Sequence, residues 1–403
     1  MSSRPSAAAS KSDGQFGSPT FTHEMKIWII TSSFPLNAAD ARAAAGLFVK
    51  DFAIVMAELG HEITVITPDK LGGDKVDPPG VRVHWFAWRG GRKTLSTMKP
   101  YHPSDALAML SLFREGRKTL ETLYEQSAPD HVLAMWAVPA GYLAMGLKAR
   151  HGVPFTTWCL GSDIWVYGKY PILRGVVRRV LKASDYIFAD GLQLADDAQR
   201  LGGRPCPFMA SSRRLNRALI QPLDLPNTGT RFLFIGRYAP VKGVDVLLEA
   251  MAEYARHEPS GHLFMFGGGP LEAQLRERAD RPDLRGRVTI GGYADEATAV
   301  SYLGACDCVI VPSRMESIPV IFSDALQMNR PLIVTDVGDM GRLLREEPAG
   351  LVVPPVDSAA LCAAMRAMAT GDRRRYDGPV RALAERFDVS RTAQEWLKQV
   401  KPP

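Results

Sequence analysis

Short, unbroken apolar runs recur along the chain, each parted from the next by a longer stretch whose apolar residues return at helical spacing. In the first half the runs are Lys26 to Thr31, His61 to Thr67, Val81 to Trp88, His131 to Trp136, Pro154 to Leu160 and Asp185 to Asp190. Apolar residues at consecutive positions are what a parallel strand needs when both of its faces are covered. Strand, small-residue loop, helix and strand in that order make a βαβ unit, beginning with Lys26 to Thr31, a loop over Ser32 to Ala45, and a helix from about Gly46 to Gly60. Near Ser211 the pattern dissolves into Arg, Pro, Asn and Gly. It resumes with strands at Arg231 to Ile235, His262 to Phe266, Arg287 to Ile290, Cys308 to Pro312 and Pro331 to Thr335. The prediction is an α/β chain of two Rossmann-like αβα domains facing across a cleft. They occupy residues 25–215 and 231–387, with a linker over 216–230 and a final helix at about 388–403 that returns to the first domain.

A length of 403 residues is too great for one ordinary core and suits two domains. Hydrophobic residues at 46% and charged residues at 23% describe a soluble protein. No apolar run approaches the roughly 20 residues of a membrane helix. Residues 1–24, rich in Ser and Ala without the apolar centre of a secretory signal, read as a disordered leader. Five cysteines, an odd number with no Cys-x-x-Cys pair, fit reduced thiols in a cytoplasmic protein, and Cys306 and Cys308 read as core. A net charge of +6 permits an anionic ligand or membrane surface and does not call for nucleic acid.

The most informative stretch is Cys308 to Asp339, a strand, a sharp loop carrying Glu316, a helix opening near Pro319, and a second apolar strand ending in Thr-Asp-Val-Gly. A helix opening here, at Ile318, Val320 and Ile321, leaves backbone N–H groups aimed at the crevice beyond the strand, a place for phosphate. Glu316 and Asp324, with seven residues between them, repel phosphate and suit the hydroxyls of a ligand. Gly236-Arg237-Tyr-Ala-Pro-Val-Lys242-Gly243 closes another strand and supplies two cations. When a bond to a nucleotide phosphate breaks, negative charge grows on the leaving group and must be stabilised. The chain shows no Asp-x-Asp pair for a metal, so the two cations and the helix start are the expected means and no metal or other cofactor is implied.

These residues resemble the signature of the retaining family-4 glycosyltransferases of the GT-B fold. The resemblance implies that Glu316 contacts the transferred sugar, that Asp324 holds the nucleotide ribose, and that Arg237 and Lys242 lie on the donor pyrophosphate. The family usually has Glu at the second acidic position, and Ile318 and Pro319 replace its glycine after the first. Gly236, the Gly267-Gly268-Gly269-Pro270 turn and Gly291-Gly292-Tyr293 match family loops for the phosphates, sugar and base. Gly46 matches one that faces the phosphates from the other domain, or is simply a helix-start glycine. Leu160-Gly-Ser-Asp163 stands where relatives carry a histidine. Leu160 removes that role and leaves Asp163 as the polar group to line the cleft, or to cap the next segment. The implied reaction retains anomeric configuration, the leaving phosphate helping to deprotonate the incoming hydroxyl.

The acceptor side is less legible. Arg89-Gly-Gly-Arg92-Lys93, Lys99, Tyr101 and His102 form a basic loop that would contact an anionic acceptor or lie in solvent. Arg174, Arg178 and Lys182 share one helix face. That is a solvated surface, or the way a peripheral enzyme sits on anionic lipid at the inner face of a membrane. The sequence reading is thus transfer of a hexose from a UDP- or GDP-sugar to a hydroxyl of a glycan or lipid-linked acceptor. Two alternatives remain: a nucleotide-sugar binding protein without turnover, and a sugar-nucleotide epimerase.

Overall fold

The computed structural model describes residues 24–37, 44–69, 73–91, 93, 98, 102–226, 229–258 and 260–400. Residues 1–23 of the expected leader, residues 38–43 of the first loop, and Arg92, Lys99 and Tyr101 of the basic loop lie outside them.

The first sheet holds β1 (Lys26–Ile30), β2 (Glu62–Pro68), β3 (Val81–Phe86), β4 (His131–Met135), β5 (Phe155–Cys159) and β6 (Tyr186–Ala189). The helices around it are α1 (Ala44–Glu58), α2 (Pro103–Gln126), α3 (Tyr142–His151), α4 (Pro171–Ala183) and α5 (Leu192–Gly202). The second sheet holds β7 (Arg231–Ile235), β8 (His262–Phe266), β9 (Val288–Ile290), β10 (Cys308–Val311), β11 (Leu332–Thr335) and β12 (Gly350–Val353). Its helices are α6 (Val244–His257), α7 (Glu272–Ala279), α8 (Glu296–Ala305), α9 (Val320–Gln327), α10 (Met340–Glu346), α11 (Ser358–Thr370) and α12 (Asp377–Glu385), and α13 (Val389–Gln399) ends the chain.

Both sheets are parallel and share one order, β3-β2-β1-β4-β5-β6 and β9-β8-β7-β10-β11-β12. The strands carry side chains to two covered faces. Along β1, Ile27 and Ile29 join α1 and α13 in one core, while Trp28 and Ile30 join α2, α3 and α4 in another. The second sheet closes around a single core running from Phe232 to Phe387. The last helix crosses back to the first sheet, where Trp396 is fully buried and meets Phe52 edge-on at 6.4 Å and His131 at 5.4 Å. All five cysteines are free and buried.

Strand limits read from the pattern agree with the structure to within about two residues, as helix and strand ends generally do. One local detail differs: β12, Gly350–Val353, an edge strand paired with β11, falls where no strand is expected. Pro319, near which the helix opening is expected, is the N-cap of α9 in extended backbone.

Candidate functional site

In each sheet the strand order reverses once, between β1 and β4 and between β7 and β10. Loops leaving neighbouring strands at such a reversal run in opposite directions and open a crevice between them. In the second domain those loops are 236–243 and 312–319, which carry the cations and the acid picked out in the sequence.

The two loops are tied together by backbone. Gly243, with φ of 64°, caps α6, and a Cβ there would stand 2.0 Å from the Pro312 carbonyl oxygen. Only glycine allows both the left-handed conformation and that approach. The Arg314 amide donates to the Val241 carbonyl at 2.8 Å, and its guanidinium grips Asp245 of α6 at 2.6 and 2.7 Å. From below, Thr335 Oγ1 donates to the Ser313 carbonyl at 2.6 Å. Gly338, with φ of 56°, packs so closely that a Cβ would lie 2.2 Å from the Glu316 carbonyl oxygen. The Thr-Asp-Val-Gly run therefore supports the loop that presents Glu316.

On this frame Lys242 Nζ donates to Glu316 Oε2, both side chains about four-fifths buried. Arg237 is exposed, and its guanidinium has no hydrogen bond or ion pair among the described residues. Among the described residues no side chain caps α9, and Val320 and Ile321 of its first turn are half-buried, while Ile318 belongs to the core. The turns after β7, β8 and β9 are laced into one layer. Gly236 N donates to Phe266 O at 2.9 Å, Tyr238 N to Gly268 O at 2.9 Å, and Gly267 N to Gly292 O at 2.9 Å. Gly268 lies under the ring of Tyr293, 54% exposed, where a Cβ would come within 2.5 Å of the ring. Tyr238, which sequence reasoning passed over, is fully buried and donates its hydroxyl to Gly291 O at 3.0 Å, fixing the layer from within.

Three sequence expectations meet different surroundings. Asp324 is 3% exposed, and its carboxylate is held by Arg213 at 2.5 and 3.3 Å, so it presents no free oxygen to a ribose. Burial raises its pKa, and the Arg213 charge opposes that rise. Asp163 is fully buried and does not line the cleft. It accepts the amides of Ala137 at 2.8 Å, Ile164 at 3.2 Å and Leu160 at 3.3 Å, bracing the loops after β4 and β5 against each other, while burial pushes its pKa up to about 6. Gly46 faces its own domain's loop, since a Cβ would stand 2.8 Å from the Ser33 backbone, which is reason enough for glycine there. Lys93, from the basic loop, pairs with buried Asp105 at 2.7 Å, and His102 Nδ1 meets Ser104 Oγ at 2.9 Å.

Across the cleft the end of β6 meets the Glu316 loop, a feature with no motif to announce it. Gly191 abuts Ser317, whose Oγ would lie 2.1 Å from a Cβ at 191, and Asp339, whose carboxylate accepts the Gln193 amide at 3.1 and 3.2 Å and so caps α5 from the other domain. Beside Gly191, Asp190 is 8% exposed. Ser211 Oγ donates to one of its carboxyl oxygens at 3.0 Å.

Comparison with known proteins agrees with this geometry. Residues 229–370 match the family described as glycosyl transferases group 1, and residues 45–208 match the glycosyl transferase 4-like domain. An alpha-D-kanosaminyltransferase from Streptomyces kanamyceticus is 33% identical over 123 residues, a match covering 30% of this chain and 32% of that protein. A D-inositol 3-phosphate glycosyltransferase from Catenulispora acidiphila is 25% identical over 401 residues, covering 89% of this chain and 90% of the relative. The Anabaena protein HepE, solved in complex with UDP-glucose, superposes with a TM-score of 0.69 at 17% identity over 94% of this chain and all of its own. Two parallel αβα domains in GT-B order, the paired loops at the strand reversal, and family models matching both halves lead to one conclusion: the chain belongs to the group 1 glycosyl transferases and is a glycosyltransferase of the GT-B type.

Proposed function

We propose that this chain is a retaining hexosyltransferase that moves a sugar from a nucleotide diphosphate donor, a UDP- or GDP-sugar, to a hydroxyl of a glycan or glycolipid acceptor. Residues 25–215, joined by the last helix, form the acceptor domain in this reading, and residues 231–387 form the donor domain. One observation carries it: at the strand reversal of the second sheet the loops bring Lys242 and Glu316 into direct contact. A cation and an acid held on rigid loops are matched to a ligand with a charged diphosphate next to a neutral, hydroxylated ring. When the donor enters, its phosphate competes for Lys242, and Glu316 is released to accept from a sugar hydroxyl. Arg237, exposed with its guanidinium free, adds a second cation as charge grows on the leaving phosphate. The uncapped first turn of α9, at Val320 and Ile321, supplies backbone N–H groups to the same charge. Asp324 serves here as the partner of Arg213 and not as a ribose ligand.

Lys242→Ala and Glu316→Ala should each lower turnover by at least about a hundredfold, because both act on charge or geometry at the reacting centre. Nucleotide release in the presence of acceptor measures this, and full activity in both variants contradicts the assignment. The donor series begins with UDP, the nucleotide bound in the Anabaena structure, and then takes GDP.

A membrane partner finds support on α4. Ile172 is 84% exposed and Tyr170 60%, beside Arg174, Arg178 and Lys182, which have no ion pair among the described residues. Between α4 and α5 lies a cavity of about 670 Å³ lined by Lys169, Arg174, Arg178 and Arg200, with Asp197 its one acid. Apolar tips beside clustered cations suit an anionic bilayer surface. Sedimentation with phosphatidylglycerol vesicles should exceed that with phosphatidylcholine vesicles. Arg174→Glu with Arg178→Glu should weaken it by about tenfold or more, each charge near the surface being worth about 1 kcal/mol. Equal sedimentation with both vesicle types rules the partner out.

A further inference from the structure

The seam where β6 meets the Glu316 loop contains two polar side chains that are more than nine-tenths buried and incompletely partnered. Asp190 is 8% exposed and Ser317 7%, and both Asp190 Oδ1 and Ser317 Oγ lack a hydrogen-bond partner among the described residues. Burying a polar oxygen unpaired is costly, so a folded protein keeps one only where something else completes it. The two belong to different domains, and Gly191, next to Asp190, leaves the space that Ser317 fills. Ser317 follows Glu316 directly, and the Glu316 charge is felt at Asp190.

We propose that Asp190 and Ser317 bind a hydroxyl of the transferred sugar, completing from the first domain the site that Glu316 begins in the second. The proposal rests on the donor-sugar reading of the cleft. Phosphate is a poor occupant, because the acids Asp190 and Glu316 border the seam and the Glu316 charge acts at Asp190. A sugar hydroxyl both donates and accepts, and so can satisfy Ser317 Oγ and Asp190 Oδ1 together. Ser211 on the far side holds Asp190 in place at 3.0 Å and leaves Oδ1 free for the ligand. Burial, aided by the charges of Asp163 and Glu316 and opposed by the Ser211 hydrogen bond, pushes the Asp190 carboxyl up to about 8. At neutral pH it is therefore a neutral acid, able to donate a hydrogen bond.

The test compares sugar nucleotide with bare nucleotide on the full chain. For the wild type, the matching donor among UDP-glucose and GDP-mannose should bind more tightly than UDP or GDP. Asp190→Ala, which removes the polar group, and Ser317→Ala should each remove about tenfold of the sugar nucleotide's affinity while leaving that of the bare nucleotide unchanged, whereas Asp190→Asn, which keeps the size, the Ser211 contact and a neutral donor, should retain most of it. The sugar-dependent gain should decline above about pH 8 in the wild type as Asp190 ionises and should be level in Asp190→Asn. The groups around Asp190 that bear on this profile are Ser211, Asp163, Cys159, Glu316, Ser317 and, past Gly191, Asp339. Alanine variants that keep the full sugar-dependent gain overturn the proposal and leave the donor reading standing, meaning that a buried water completes the seam. Equal losses for sugar nucleotide and bare nucleotide overturn it as well, marking a structural role. A wild type that binds no nucleotide overturns both.

Discussion

Arg213 and Arg214 are neighbours in the chain with opposite destinations. Arg214 turns to the first domain, where it meets Glu58 of α1 at 2.7 Å while its amide donates to Asp51 at 3.0 Å. Arg213 turns to the second, where it is buried against Asp324 of α9 at 2.5 Å, and its carbonyl accepts from Gln327 at 2.7 Å. The crossover segment is thus fastened to both domains at one point, beside the helix whose first turn faces the candidate phosphate site. Removing one partner of a buried ion pair strands the other charge, so Arg213→Ala should destabilise the fold by about 3–5 kcal/mol. The double change Arg213→Met with Asp324→Leu should recover most of that loss, since an apolar pair of similar volume needs no counter-charge. Chemical unfolding measures both, and an Arg213→Ala variant as stable as the wild type contradicts the role given to the pair. Asp324 also marks the limit of reading a site from sequence. The spacing of Glu316 and Asp324 places them near one another, but Asp324 is claimed by a residue 111 positions earlier. Asp163 is similar, its carboxylate taken by the amide of Ala137 on another strand's loop. Residue type and local spacing carry no record of such pairings.

At the scale of elements much more was legible. Continuous apolar runs identify the parallel strands because both faces of each sheet are covered, and the helical spacing between them identifies the crossovers. Gly-Arg…Lys-Gly and Thr-Asp-Val-Gly proved to be parts of one support. The first pins the loop after β7 through Gly243, and the second holds the loop after β10 through Thr335 and Gly338. β12 was missed because Gly350 opens it and Pro354 follows it, so that only Leu351, Val352 and Val353 form its apolar run. The role of these loops yields a prediction. Gly338→Ala puts a Cβ 2.2 Å from the Glu316 carbonyl oxygen, at a φ of 56° that side chains other than glycine rarely adopt. The loop must shift, and a misplacement of about 1 Å at a reacting group costs about a hundredfold in rate. Steady-state nucleotide release should fall by about that factor with the overall fold retained, and a fully active variant denies the loop its positioning role.

For the molecule as a whole, the chain leaves its first domain after α5, builds the second, and returns through α13 to the first. Trp396 on that helix is fully buried beside Phe52 and His131, and Val389, Ala393, Leu397 and Val400 join the same core. A core shared by the two ends of the chain is invisible to local sequence patterns, although a last amphipathic helix after the second domain hinted at it. Trp396→Ala should cost about 3–5 kcal/mol through lost burial and the cavity left behind. Chemical unfolding reads this as a lower midpoint, and a loss under about 1 kcal/mol would mean that the helix packs too loosely to tie the ends together. Both domains turn their strand-end loops to one cleft, and the buried acid Asp190, the ion pair of Lys242 and Glu316, and the Asp339 cap on α5 all gather there.

The most direct test is a crystal structure of the chain with the UDP- or GDP-sugar that it binds. The account predicts the diphosphate against Lys242, Arg237 and the first-turn amides of α9, with Lys242 drawn off Glu316 and Glu316 on the sugar. A nucleotide lodged elsewhere, or a bound donor with Lys242 still paired to Glu316, would contradict it.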